Sequence, residues 1–236
     1  MQQAYDYKDF ELSKINEHKY SHIKLLLGWV FYFIAYYLTE NYIPIERCHV
    51  IHCKLDDMIP FNEYFVIFYC LFYFLVFGSL LYFFFYDVRS FKKLQIYLIV
   101  TQVIAICIYI IYPSVQIGRP EQLNDTFLCN IISYIYAFDT PTGVCPSLHV
   151  AYSLGLASIW RKKKKTSIAI KILMIILTTL IAISVVFVKQ HSVIDMIAAI
   201  PLCLLAEYIT YKRYHRAELK LIKKKLNIKT LKEDIN

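Results

Sequence analysis

Two long uncharged stretches limit the folds open to this chain more than any other feature of its sequence. Residues 64–86 and residues 94–118 contain no Asp, Glu, Lys or Arg. A hydrocarbon layer about 30 Å thick needs about 20 apolar residues in a helix, and a charged side chain at its centre costs about 3 kcal/mol. We therefore predict that each stretch forms a helix that spans a membrane.

Four shorter apolar stretches complete a six-span prediction: residues 25–39, 145–160, 172–188 and 192–211. Two of them carry ionisable side chains, His149 in one and Asp195 with Glu207 in the other. The basic residues support all six spans, because a cytoplasmic N-terminus puts 22 of the 26 lysines and arginines on the cytoplasmic side. The predicted fold class is all-α, a polytopic integral membrane protein with a six-transmembrane-helix bundle and both termini cytoplasmic.

These spans divide the chain into three parts. Residues 1–22 are predicted to form a cytoplasmic N-terminal segment, residues 23–211 the membrane domain and residues 212–236 a basic cytoplasmic tail. The tail is expected to be either an amphipathic helix on the membrane surface or a mobile segment. No cleavable signal peptide is expected, because the first 24 residues contain four acidic residues and no apolar run.

Composition narrows the class of protein. The chain is 58% hydrophobic and 19% charged, which is too apolar for a nucleic-acid-binding or disordered protein despite a net charge of +8. The expected partner is therefore a membrane and not a nucleic acid. Frequent Ile, Lys, Asn and Tyr are typical of proteins from AT-rich genomes. This composition favours a bacterial protein, whose membrane would be the plasma membrane. The sequence indicates neither a disulfide pairing nor an oligomeric state.

Chemically capable residues gather on the outer side of the predicted bundle. His191 and Asp195 are four residues apart, so on a helix they share a face and the carboxylate can hold one imidazole nitrogen. Pro146 favours a helix start that leaves the N–H groups near Ser147 and Leu148 free to bind an anion. The predicted topology puts six such residues at one depth: Arg119, Ser147, His149, Lys189, His191 and Asp195.

Each of these residues also has a plain structural explanation. A histidine near the end of a span is usually an interfacial hydrogen-bonding residue, and a His/Asp pair can simply stabilise a helix. Together, however, two histidines, a carboxylate and two cations provide a nucleophile, an acid for the leaving group and charges for phosphate oxygens. This set indicates phosphoryl transfer that needs neither a metal nor a cofactor.

At these residues the chain resembles the type 2 phosphatidic acid phosphatase superfamily of membrane phosphatases and phosphotransferases. The superfamily signature has three parts: a Lys and an Arg-Pro separated by six residues, a Pro-Ser-Gly-His, and a Ser-Arg followed after five residues by His and, four further on, Asp. The Pro-Ser-Leu-His form found here is most similar to the branch that includes inositol phosphorylceramide synthases. The matching segments are Arg119-Pro120, Pro146-Ser147-Leu148-His149, and Ser184 with His191 and Asp195.

The resemblance, which covers roughly residues 23–211, implies a role for each matched residue. His191 would be the nucleophile that forms a phosphohistidine, and Asp195 would orient it. His149 would protonate the leaving group, while Arg119 and Ser147 would hold the phosphate. The implied substrate is a lipid phosphate.

The chain departs from the signature at two cationic positions. Tyr112 stands where the first part has Lys, and Val185 stands where the third part has Arg. Lys189, two residues before His191, is the predicted replacement, because few other basic residues lie on this side.

The expected function is cleavage of a phosphoester or phosphoanhydride of a lipid phosphate at the extracytoplasmic face, by hydrolysis or by transfer. An inactive polytopic protein, a transporter or scaffold that retains the fold, is the alternative. Metal-dependent hydrolysis with His149, His191 and Asp195 as ligands is a third possibility. The polar outer loop at residues 46–57 is expected to be a solvated loop in preference to a substrate lid.

Overall fold

The structure, a computed structural model, describes residues 3–164 and 166–233. The described chain is helical apart from two strands of two residues each, which confirms the all-α fold class. Short 3₁₀ helices lie at Leu12–Asn16, Ser21–Leu26, Ile45–Arg47 and Glu63–Phe65. The other elements are α1 (Leu27–Tyr42), β1 (His49–Val50), α2 (Lys54–Met58), α3 (Val66–Tyr86), α4 (Val88–Ile111), β2 (Ser114–Val115), α5 (Phe127–Phe138), α6 (Leu148–Lys162), α7 (Ile168–Phe187) and α8 (Val193–Glu233).

Five helical segments in the described part of the chain are long and apolar enough to cross a membrane. They correspond to five of the six predicted spans. The sixth predicted span, residues 145–160, overlaps α6, which has only 15 residues and is not among the five. The apolar runs thus identify these helices, although their ends differ by a few residues from the prediction. The five segments are Ser21–Tyr42, Glu63–Tyr86, Val88–Ile111, Ile168–Phe187 and Val193–Arg213.

Helix α6 lies inside the bundle, where it packs against α3, α4, α7 and α8. Nine of its 15 residues are buried. Gly155 lets α4 approach closely, because a Cβ at this position would lie 2.3 Å from the ring of Tyr97. The Tyr97 hydroxyl donates to the main-chain oxygen of Ala151 (3.1 Å). Small and polar buried residues such as Ser153, Gly155 and Ser158 suit a helix that packs against other helices instead of facing lipid.

Helix α4 ends earlier than its uncharged run predicts. Asp87 caps its first turn by accepting the Ser90 N–H (3.1 Å), and the helix stops at Ile111. Pro113 follows and has no N–H to donate. Residues 114–115 then pair in parallel with residues 49–50 as a two-stranded sheet. The last seven residues of the run 94–118 are therefore outside the helix.

One end of the bundle holds the N-terminal segment and two helix connections. The Ala4 N–H donates to the Phe85 main-chain oxygen (2.7 Å), next to the turn from α3 to α4. Lys163, after α6, forms an ion pair with Asp87 in that turn. The N-terminal segment, the α3–α4 turn and the α6–α7 connection therefore lie together.

The opposite end holds the long connections and the short helix α5. The Gln116 N–H donates to the Pro141 oxygen (2.9 Å), and the Asn62 N–H donates to the Phe187 oxygen (3.1 Å). Each bond joins two segments that are well separated in the sequence, and the two predicted catalytic histidines lie at this end.

Helix α8 continues beyond its apolar part to Glu233 without a break in the backbone. The predicted amphipathic face of the tail depends on side chains after Arg216, which lie outside the described residues, as do Lys165 of the basic run and residues 234–236. All seven cysteines are unpaired.

Candidate active site

His191 and Asp195 lie at the start of α8 and contact each other. The Nδ1 atom of His191 is 3.3 Å from Oδ2 of Asp195, and the same oxygen accepts the Ser192 N–H (2.9 Å). Asp195 is fully buried. A buried carboxylate on Nδ1 fixes the orientation of the ring. Among the described residues none bonds to Nε2 of His191, so that nitrogen is left to react.

His149 lies in the first turn of α6 and is surrounded by aromatic rings. Its ring centroid is 4.4 Å from that of Phe72, 4.6 Å from that of Tyr69 and 5.8 Å from that of His191. Its Nε2 atom is buried and has no partner in the described part of the chain. The structure therefore brings the two histidines together, as their joint placement in the sequence predicts.

Ser147 and Leu148 mark the point where α6 meets α8. Ser147 is fully buried, its hydroxyl accepts the Val150 N–H (3.4 Å), and its own N–H donates to the Asp195 main-chain oxygen (3.1 Å). The Leu148 side chain lines the same cavity as the histidines. Ser147 thus caps α6 and fixes it against α8, while its side chain is absent from that cavity wall.

Arg119 reaches the site through Gln190, the residue before His191. One guanidinium nitrogen, Nη2, donates to the Asp139 main-chain oxygen (2.7 Å) and to Oε1 of Gln190. The other, Nη1, donates to the Tyr136 oxygen (3.3 Å), and the guanidinium carbon lies 4.3 Å above the Tyr136 ring. Nε is buried without a partner among the described residues. Much of the donor capacity of Arg119 is therefore already engaged within the protein.

Lys189 is bound to the loop that contains α2. Its ammonium donates to the main-chain oxygens of Asp56 (2.9 Å) and Ile59 (2.5 Å). Its φ angle is 54°, in the left-handed region that non-glycine residues rarely adopt. Lys189, the predicted replacement for the missing signature cations, thus lies close to His191 along the chain, but its ammonium already donates to two main-chain oxygens.

Asp56 caps α8 from a different part of the chain. Its carboxylate accepts the Ser192 hydroxyl (2.6 Å), the Val193 N–H (2.8 Å) and the Cys53 N–H (2.8 Å). Burial by itself would raise the pKa of Asp56, but these hydrogen bonds outweigh it and hold the pKa below its ordinary value. The solvated-loop prediction is therefore wrong for Asp56, which is buried.

Two cavities meet at His191. One, of about 270 Å³, has a mainly aromatic wall that includes Trp29, Tyr36, Phe72 and both histidines. The other, of about 280 Å³, is polar and is lined by Lys189, the acidic residues of α2 and His191. The His191 ring thus forms part of the wall between an aromatic compartment, here called the aromatic cavity, and a polar one, the polar cavity.

The two positions that depart from the superfamily signature have other contacts. Tyr112 stacks on His49 with ring centroids 4.1 Å apart. Val185 is buried, and its main-chain oxygen accepts the N–H groups of both Gln190 and His191. In the part of the chain that the structure describes, no group of three or more His, Cys, Asp or Glu side chains is arranged to hold a metal ion.

Sequence reasoning missed two residues that organise this end of the bundle, Asp139 and Gln190. The carboxylate of Asp139 accepts hydrogen bonds from Tyr36, Tyr69 and Gln190. The one available signal was that Gln190 is adjacent to His191 in the sequence.

Fold and site together define the class of protein: a helical chain whose described residues include five helices long and apolar enough to cross a membrane, with a His–Asp pair facing a second histidine at one end of the bundle. Comparisons with protein-family models, with curated proteins and with solved structures found no match. The function must therefore be argued from the site itself.

Proposed function

We propose that this protein is a membrane lipid phosphatase or phosphotransferase that cleaves a phosphoester or phosphoanhydride of a lipid phosphate through a phosphohistidine. One observation carries the proposal. His191 is held at Nδ1 by the buried Asp195, and the ring of His149 is 5.8 Å away on the wall of the same cavity. A nucleophile, its orienting carboxylate and a second acid-base group can therefore reach one bound molecule.

The proposal includes a topology in which α6 is the sixth membrane-crossing helix and both termini are cytoplasmic. The excess of Lys and Arg in alternate connections supports this orientation. The histidines, at the end opposite the N-terminal segment, then face the extracytoplasmic side of a membrane, which we propose is a bacterial plasma membrane.

In the first step, the Nε2 lone pair of His191 attacks phosphorus and forms an N–P bond. The bond from phosphorus to the leaving oxygen breaks, and that oxygen takes a proton from protonated His149. Asp195 accepts the Nδ1–H of His191 and so stabilises the positive charge that develops on the ring.

In the second step, neutral His149 takes a proton from water or from an alcohol, whose oxygen attacks the phosphorus. The N–P bond breaks and returns its electron pair to Nε2 of His191. Water as the attacking group gives a phosphatase, and an alcohol gives a phosphotransferase.

Phosphate binding in this proposal uses the N-terminus of α6 and two of the four basic residues predicted on the outer side, Arg119 and Lys189. The N–H groups of Leu148 and His149 at the start of α6 favour an anion, whereas that of Ser147 is bonded to Asp195. Among the described residues the buried Nε of Arg119 has no partner, and Lys189 lies on the wall of the polar cavity beside His191.

The test uses the purified protein in detergent with EDTA and a lipid phosphate carrying ³²P. We expect release or transfer of the labelled phosphate and an acid-labile label on the protein. His191→Ala should abolish both. The matched control is Glu63→Gln, since Glu63 bonds to Thr126 and Cys129 outside both cavities. Thin-layer analysis with an added alcohol separates hydrolysis from transfer. A His191→Ala variant as active as the parent would contradict the proposal.

A second candidate, an inactive transporter or scaffold with the same fold, is favoured by one observation. Arg119 and Lys189 both donate to main-chain oxygens of the protein itself, Arg119 to Tyr136 and Asp139, and Lys189 to two residues of the α2 loop. The same assay decides between the candidates: binding of lipid phosphate with no labelled protein and no turnover would support the inactive form.

A further inference from the structure

Helix α5 presents a row of exposed rings at the end of the bundle that holds the histidines. Phe127, Tyr134 and Phe138 are 77%, 70% and 84% exposed. The second and third rings follow the first by seven and eleven residues, which is close to two and three helical turns. The three rings therefore lie on one face of α5, here called the ring face. Exposed apolar patches of this kind mark contact surfaces.

The other sides of α5 differ from the ring face. Cys129 and Ile132 are buried, whereas Asn130 and Ser133 form an exposed polar strip. Residues 126–138 contain no Asp, Glu, Lys or Arg. A helix with one buried side, one apolar exposed side and one uncharged polar side suits the boundary between lipid and water, where the apolar side enters the membrane.

Two attachments place α5 at the ends of apolar helices that are long enough to cross a membrane. Near its first turn, Glu63 accepts the Thr126 hydroxyl (3.1 Å) and the Cys129 thiol (2.8 Å). Near its last turn, the Tyr136 hydroxyl donates to the Val188 main-chain oxygen (2.6 Å). Glu63 is the first residue of one candidate span, and Val188 follows the last residue of another. Both ends of α5 are therefore attached at the level where these helices leave the hydrocarbon layer.

A lipid leaflet fits the ring face by level, by charge and by continuity with the neighbouring helix. Tyr64 and Ile67, at the start of the span that begins at Glu63, are also large exposed side chains. Helix α5 has 12 residues and is therefore about 18 Å long. This length is too short to cross a membrane but long enough to lie along its surface, where aromatic side chains are enriched.

We propose that the ring face of α5 binds the membrane leaflet at this end of the bundle, with its three rings inserted about 5–10 Å into the boundary between head groups and acyl chains. In the proposed topology this is the outer leaflet. The binding surface itself does not depend on the proposed function.

The C-terminal end of α5 connects this surface to the candidate active site. Arg119 donates to the main-chain oxygens of Tyr136 (3.3 Å) and Asp139 (2.7 Å). The Asp139 carboxylate accepts Nε2 of Gln190 (3.0 Å), the residue before His191. Binding of α5 to the leaflet therefore fixes the height of Arg119 relative to the lipid head groups. This consequence bears on catalysis only through the proposed function, on which it rests.

The test measures the depth of single tryptophans placed on α5. Tyr134→Trp and Ser133→Trp are neighbours in the sequence, but the first lies on the ring face and the second on the polar strip. Each variant is reconstituted at one copy per lipid nanodisc, and its emission is compared with that of the parent, which contains two tryptophans. We expect phosphatidylcholine brominated near the top of its acyl chains to quench about half of the emission added by Tyr134→Trp and less than about a tenth of that added by Ser133→Trp. Iodide in the water should quench the two in the reverse order.

Two results would overturn the inference. Equal quenching of both variants by iodide would place the whole exposed surface of α5 in water. Added emission of Tyr134→Trp that neither quencher reaches would mean that protein, and not lipid, covers the ring face. Phe127→Trp, at the other end of the ring face, repeats the measurement if Tyr134→Trp fails to fold, and the same outcomes apply to it.

Turnover separates this inference from the proposed function. Phe127→Ser combined with Tyr134→Ser removes two rings that line neither cavity. If the proposed function holds, turnover of a long-chain lipid phosphate in liposomes should fall about threefold to tenfold, while turnover of water-soluble p-nitrophenyl phosphate stays unchanged. Equal losses for the two substrates would count against the membrane contact. If the parent turns over neither substrate, the proposed function fails, and the quenching result still decides the surface.

Discussion

The two cavities that meet at His191 have nearly equal volumes, about 270 and 280 Å³, yet their walls differ in kind. The aromatic cavity is formed mainly by rings from α1, α3 and α6, and none of the described residues in its wall is a Lys or an Arg. The polar cavity is formed by the α2 loop, residues 116–118 and the connection before α8. Volume therefore says little about their roles. In the proposed function, the lipid would occupy the aromatic side of the His191 ring, and water or a hydroxyl group would occupy the polar side.

The largest effect is expected from disturbing the orientation of His191, the residue that lines both cavities. In Asp195→Asn the carboxylate that holds Nδ1 is replaced by a neutral amide, which favours the wrong tautomer. We expect kcat to fall by a factor on the order of 10⁴ with little change in lipid affinity. Steady-state kinetics with a matched binding titration checks this. A loss below about tenfold would show that Asp195 only stabilises the helix.

His149, on the aromatic side, should show a smaller effect that depends on the leaving group. His149→Gln removes the acid, so turnover of an alkyl phosphate should fall about 10²-fold to 10⁴-fold. Turnover of p-nitrophenyl phosphate should fall less than about tenfold, because its leaving group needs no proton. Parallel assays of both substrates measure the difference. Equal losses of turnover for the two substrates would show that His149 is not the acid that protonates the leaving group.

On the polar side, Asp56→Asn tests whether the α2 loop supports α8. The Ser192 hydroxyl and the Val193 N–H lose a charged acceptor, so we expect the protein to be less stable by about 1–3 kcal/mol. Thermal unfolding in detergent is the measurement. Asp57→Asn is the control, because Asp57 is 67% exposed and should change stability by less than about 0.5 kcal/mol.

The loss of stability caused by Asp56→Asn should depend on pH. Because the pKa of Asp56 is lowered by folding, its stabilisation is complete above the ordinary carboxyl pKa and is lost as pH falls through the folded-state pKa. The difference in melting temperature between the parent and Asp56→Asn should therefore narrow in acid. A difference that grows in acid would contradict this assignment.

Lys189→Met tests whether Lys189, in the wall of the polar cavity, stabilises the fold or binds phosphate. The contacts with Asp56 and Ile59 predict a loss of about 1 kcal/mol, or about 2–4 °C in melting temperature. Because Lys189 is proposed to contact phosphate, inhibition by inorganic phosphate should also weaken, by about threefold to tenfold. Unchanged phosphate inhibition with a lowered melting temperature would assign Lys189 to structure alone.

The smallest effect is expected at the far end of the aromatic cavity. Phe77 stacks on Trp29 with ring centroids 6.2 Å apart and is half exposed. Phe77→Leu should cost about 1 kcal/mol of binding, or about fivefold in KM, for long-chain lipids only. Lipid substrates of two chain lengths provide the measurement. An equal change for both lengths would mean that the cavity does not receive the chain.

Local patterns predicted much of the fold and part of the site. Uncharged runs predicted the long helices because a membrane rejects charge whatever the tertiary structure. The i to i+4 spacing predicted the His191–Asp195 contact because one helix carries both residues. The end of α4 at Ile111 was missed, since the run of uncharged residues continues through the loop that follows.

Contacts between distant segments had no such pattern. Asp56 caps a helix that begins 137 residues later, and Asp139 accepts hydrogen bonds from residues on three different segments. Neither carboxylate has a spacing or a neighbour that marks it. Lys189 was expected as a free cation because its sequence position is beside His191, but its partners come from the α2 loop.

The sequence by itself determined that the chain is helical, that most of its long helices are apolar enough for a membrane, and that His191 and Asp195 share a helical face. These properties depend on composition and on spacing along a single helix. Only the tertiary structure decided that His149 and His191 line one cavity, that the Asp139 carboxylate in its wall accepts three hydrogen bonds, and that Arg119 and Lys189 are bound to main-chain oxygens. Those facts depend on which distant segments pack together, and packing is set by the shapes of many side chains at once.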